Sequence, residues 1–145
     1  MSYERLMREH ARIEIAVQHL LELVSAPEPD LGCVTIALSD LSQELSEHLA
    51  HEDSFIYPRM IQGNNALMRD AARAFSAEFA SLRDDWSLYL REWSAECIGG
   101  DWAHFVQQTK AILERLQCRI DAENNILYTA ALRESVIMLR ESYAA

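Results

Sequence analysis

The chain has 145 residues, half of them hydrophobic and a quarter charged, with four Gly and three Pro. That is one domain's length of chain. It excludes collagen-like, low-complexity and disordered sequences, and it holds too few turn residues for a β-sandwich. The net charge of −10 repels phosphate backbones and anionic lipid, which argues against nucleic-acid and membrane-surface partners.

The first helix is expected to start at Ser2 as N-cap and to end before Pro27. Its inward stripe is His10, Ile13, Val17, Leu20 and Val24. The second stretch carries Leu38, Leu41, Leu45, His48, Glu52 and Phe55, and Pro58 should kink it or end its regular part. The third is capped by Asn64 or Asn65 and stopped by Gly99 and Gly100, with Met68, Ala72, Phe75, Phe79, Leu82, Trp86, Tyr89 and Trp93 inward. Asp101 caps the fourth, whose stripe is Ile112, Leu116, Arg119, Glu123, Ile126 and Ala130, with a short extra segment after Thr129. Spacings of three and four keep each set on one helix face. Short connections make sequential helices antiparallel. The expected fold is therefore all-α, a single up-down-up-down four-helix bundle over residues 1–145. No apolar run reaches 18 residues and the N-terminus lacks a secretory h-region, so the expected location is cytoplasmic. Cys33, Cys97 and Cys118 are odd in number and lack C-x-x-C spacing, which argues for free thiols.

Ionisable residues interrupt three of the four stripes: His10, then His48 and Glu52, then Arg119 and Glu123. An inward charge must be paired, ligate something or lie at a helix end. Two of the interruptions are one. Leu45, His48, Glu52, Phe55 and Tyr57 recur 71 positions later as Leu116, Arg119, Glu123, Ile126 and Tyr128, an internal repeat with His-x3-Glu in one copy and Arg-x3-Glu in the other. Residues four apart on a helix aim at one point. Two imidazoles and two carboxylates suit iron, zinc or manganese, and bundle cores are where such side-chain metal sites are built. Tyr57 and Tyr128 fall one position off the stripes, from where they are placed to donate hydrogen bonds into the site.

The run His48-x3-Glu52-Asp53-x2-Ile56-Tyr57-Pro58 resembles the signature of hemerythrin-like, or HHE cation-binding, domains. Glu9-His10-x2-Ile13 is similar to that family's opening motif. The resemblance implies a four-helix bundle holding two irons bridged by two carboxylates. In this sequence His10 and His48 would be imidazole ligands to one iron, and Glu52 and Glu123 the bridging carboxylates. The second iron needs imidazoles from helices three and four, where Phe79 and Arg119 stand instead. Helix three contains no His at all. The expectation is thus a degenerate site that holds at most one ion through His10, His48, Glu52 and Glu123. The expected role is a sensor or signalling protein, neither a dioxygen carrier nor an enzyme. The alternative is a metal-free module that binds a protein partner, with Arg119 bridging the two carboxylates in place of the lost metal. His51 is the weaker candidate ligand, His19 and His104 are expected in solvent, and the helix-three aromatics are expected to fill core. No Gly-rich phosphate loop, His-Glu-x-x-His or Gly-x-Ser-x-Gly motif offers another chemistry.

Overall fold

Ser2 opens the first helix, α1 (Tyr3–Val24), by accepting a hydrogen bond from the Arg5 amide through its side chain. Asp30 caps α2 (Leu31–His51) in the same way on Cys33. The computed structural model describes residues 2–140; Met1 and residues 141–145, which the predicted single domain includes, lie outside the described residues.

Beyond His51 the second rod does not continue as a regular α-helix. A π-helical turn, Glu52–Ile56, leads into α3 (Tyr57–Ile61), with Pro58 at its first turn. The third rod also departs from expectation. Asn65 caps α4 (Ala66–Phe79) through the Leu67 and Met68 amides, but the helix breaks at Ala80 and Ser81 and resumes as α5 (Leu82–Glu92). The Gly pair does not stop it. Gly99 and Gly100 instead end a separate helix, α6 (Ala95–Gly100), which is capped by Ser94.

The fourth rod repeats the pattern of the second. Its main helix, α7 (Trp102–Ala122), is capped by Asp101 and passes through a π turn, Glu123–Leu127, into α8 (Tyr128–Arg133). Both π turns start on the repeated Glu, 71 positions apart. The second copy has no proline, so such a turn does not require one. A π turn accommodates one extra residue and rotates the rest of the helix. The expected stripes therefore fail just past each Glu. Ile126 is 51% exposed and Phe55 only half-buried, while Ile56, Tyr57, Leu127 and Tyr128 face inward. The segment after Thr129 is the rest of α8 and a tail. The Tyr3 and Glu4 amides donate to the carbonyls of Met138 and Leu139, at 2.6 and 3.1 Å.

Cross-rod contacts fix the directions. His10 and Glu14 on α1 meet Asn124 and Gln117 in that order, and Asp85 and Tyr89 on α5 meet Arg115 and Thr109, so the fourth rod runs antiparallel to both. Among the described residues there is no strand, only an isolated bridge between Ser2 and Met138. The core splits into two apolar clusters. One includes Ile13, Leu45, Leu49, Leu82, Leu116 and Ile120. The other includes Leu6, Ile56, Tyr57, Ala72, Leu127 and Tyr128. Each such aliphatic side chain contributes roughly 1.5–3 kcal/mol on full burial. On α1, α2 and α7 the ionisable residues stand between the two clusters, so the bundle holds a polar layer closed by apolar packing on both sides.

Candidate metal centre

Five ionisable residues of that layer are almost fully buried: His10, His48, Glu52, Arg119 and Glu123, none more than 5% exposed. Their helices place them there by the same arithmetic. His10 follows Leu6 by four and precedes Ile13 by three on the inward face of α1. His48 and Glu52 are four apart, as are Arg119 and Glu123. Water is excluded, so each charge needs a partner.

The two imidazoles are held the same way. His10 Nδ1 lies 2.6 Å from Asn124 Oδ1, and His48 Nδ1 lies 2.7 Å from Glu9 Oε2. An outward acceptor on Nδ1 assigns the proton to that nitrogen and turns Nε2 inward. His10 Nε2 is 3.2 Å from Glu123 Oε1 and 3.6 Å from Glu52 Oε1, and His48 Nε2 contacts Glu52 Oε1. One ligating atom from each of His10, His48, Glu52 and Glu123 falls within 4.8 Å of the others. The hydroxyl of Tyr128 enters this group, donating to Glu52 Oε1 at 2.9 Å and standing 2.8 Å from His10 Nε2. Tyr57 donates to Glu123 Oε2 at 2.9 Å. The two tyrosines thus reach the site because the π turns bring them onto the inward face.

The electrostatics describe a place that attracts positive charge. Burial acts to lower the pKa of His10, but hydrogen bonds to Glu123 and Glu52 outweigh it and raise it to about 10. For His48 the same competition, with Glu52 and Glu9 as partners, gives about 9. The carboxylates diverge. Burial and the neighbouring charge of Glu52 push Glu123 up. Burial opposes ionisation of Glu52 as well, but hydrogen bonding with Glu123, His10 and His48 holds it well below the usual carboxylate range. Burial pushes both phenols up. Glu52 Oε2 is buried without a hydrogen-bond partner. Two fixed imidazole nitrogens facing two carboxylates, one with an orphaned buried oxygen, fit a divalent or trivalent cation.

Arg119 takes the opposite side of the carboxylates. Its Nε donates to Glu123 Oε2 at 3.1 Å, its Nη2 donates to Asp53 Oδ1 at 2.8 Å, and Glu52 Oε2 is 3.9 Å away. Asp53 is therefore a closer partner of the guanidinium than Glu52. Phe79 is buried at the end of α4 and lines a cleft of about 170 Å³ with Asp53, Tyr57 and Arg83. His51, the weaker candidate ligand, is exposed and stacks on Phe55, and His19 and His104 are exposed.

Sequence reasoning missed Glu9, Asn124 and Asp53. Each is the chain neighbour of a stripe residue, one position off the inward face, and so reaches the adjacent helix. Adjacency to a candidate ligand was the available signal. A family profile described as the hemerythrin HHE cation binding domain matches residues 1–131. No curated protein and no solved structure matches the chain. A match over nearly the whole length, on a helical bundle with His and Glu gathered in its core, places this chain in the hemerythrin HHE cation-binding domain family.

Proposed function

We propose that the protein is a cytoplasmic metal-binding sensor whose bundle holds one ion at His10, His48, Glu52 and Glu123. The observation that carries this reading is the pair of imidazoles fixed from outside by Asn124 and Glu9, with both Nε2 atoms turned onto the two carboxylates. Such outer hydrogen bonds orient ligands for a cation. When bound, iron, zinc or manganese would supply a Lewis-acidic centre, and iron a one-electron couple as well. The chain's own residues do the rest. Tyr57 and Tyr128 hold the carboxylates in place, the two apolar clusters exclude water, and Arg119 paired with Asp53 supplies the positive charge on the side where a second ion would need imidazoles. That arrangement supports a one-ion site over a dioxygen-carrying pair.

A second reading is a metal-free module that binds a protein partner. The bonds of Arg119 to Glu123 and Asp53 favour it, because they already compensate part of the buried negative charge. Metal content of tag-free protein separates the two. After anaerobic loading with ferrous iron or with zinc and dialysis, the first reading expects about one ion per chain, lost in His10→Ala and kept in His51→Ala. No retained ion in folded wild type would overturn the first reading and leave the second, and about two irons per chain would contradict both.

A further inference from the structure

We propose that ions enter and leave the centre through the cleft between α1 and α2, and that Glu9 is the latch on His48 that sets how fast they do so. The inference rests on the metal-site reading above and adds how an enclosed site exchanges its ion. Three of the four ligands, His10, Glu52 and Glu123, are at most 1% exposed. The fourth, His48, is also part of the wall of a surface cleft of about 340 Å³. Arg5, Glu9 and Arg12 line it from α1, and Glu44 and Glu47 line it from α2 beside His48. Spacings of three and four put each set on one helix face. The cleft therefore ends on a ligand of the centre. On the other side of the carboxylates, Arg119 bonds Glu123 and Asp53. A guanidinium there repels an arriving cation, so charge favours the α1–α2 side.

His48 spans the boundary between cleft and centre, with Nδ1 on Glu9 and Nε2 on Glu52. For an ion to pass, the ring has to turn, and turning breaks the bond to Glu9. Glu9 is suited to yield. Its side chain is 22% exposed, and its other oxygen accepts from Arg5 Nε at 3.1 Å, across a pair in which Arg5 is 56% exposed. An exposed pair of this kind holds its members weakly, and water in the cleft meets the groups it frees. Charge at the mouth also favours cations. Glu9, Glu44 and Glu47 outnumber Arg5 and Arg12 by one, and Arg5 is already on Glu9. A cleft with a surplus of one sign raises the local concentration of the opposite ion.

The test follows uptake of zinc, or of ferrous iron without oxygen, by stopped flow, and release into excess chelator. Glu44→Lys with Glu47→Lys turns the mouth from one negative charge to three positive. The control, Glu78→Lys with Asp84→Lys, makes the same change in net charge beside Phe79 and Arg83, on the wall of the opposite cleft. In salt of about 0.1 M, where charges act over about 10 Å, the mouth variant should take up metal at least about fivefold more slowly than wild type, and the control within about twofold. At about 1 M salt the two should converge. There, with charge screened, Glu9→Ala should release metal at least about tenfold faster and also take it up faster. A residue that only orients His48 would speed release without speeding uptake. Equal slowing by the two reversals, greater slowing by the control, or Glu9→Ala with unchanged or slower uptake would overturn the proposal while leaving the metal site standing. Retention of neither zinc nor iron by folded wild type would overturn both. All four reversed positions are exposed, so that comparison decides the route even if Glu9→Ala does not fold.

Discussion

Arg119 is the residue at which this chain departs most sharply from a two-metal site. It is 1% exposed and touches three carboxylates, one of them at 3.9 Å. Burial would lower its pKa, but Glu123 and Glu52 hold it charged. Arg119→Ala should leave Glu123 and Asp53 without their cation and cost about 3–5 kcal/mol in urea unfolding of the metal-free protein. A change within about 0.5 kcal/mol would mean that the guanidinium is structurally idle. The histidines make a prediction about pH. Both pKa values are raised, to about 10 and about 9, above the ordinary 6.5. Their stabilisation of the metal-free fold is therefore fully present below pH 6.5 and is lost as pH rises through 9 to 10. The urea midpoint of metal-free protein should fall between about pH 7 and about pH 10. Metal affinity should move the other way, strengthening with pH over that range, because binding displaces the imidazole protons. A midpoint that rises with pH would contradict the assignment of those protons.

At the scale of the element, the two π turns account for what the sequence did and did not disclose. Up to Glu52 and Glu123 the α-helical period holds, and His10, His48, Glu52, Arg119 and Glu123 were legible as inward because nothing disturbs the register before them. One residue later the period changes, and no proline or glycine marks the second turn. An unbroken helical period therefore places Phe55 and Ile126 inward and Tyr57 and Tyr128 one position off. The same blindness hid the break at Ala80 and Ser81, where no helix-breaking residue stands. Substitutions test the register directly. Ile126→Lys should change stability by no more than about 0.5 kcal/mol, whereas Leu127→Ala, at a site 1% exposed, should cost about 2–5 kcal/mol. The reverse order, measured by chemical denaturation, would restore an uninterrupted α-helix.

At the scale of the whole molecule, the bundle is two apolar clusters with one polar layer between them. Three rods bring imidazole, carboxylate or guanidinium to that layer, and the third rod brings Phe79. The general plan was legible because four stripes and a 71-residue repeat need only periodicity to be seen. The outer bonds of Glu9, Asn124 and Asp53 were not, because they depend on which helix flanks meet, and that is set by packing. The plan makes one ion beside a guanidinium the central claim. An anomalous-difference map from crystals of iron- or zinc-loaded protein, collected at the metal edge, tests it most directly. The account predicts a single peak within about 2.3 Å of both His10 Nε2 and His48 Nε2, with Arg119 still on Glu123 and Asp53. Two peaks between the carboxylates, or a peak that avoids both imidazoles, would contradict it.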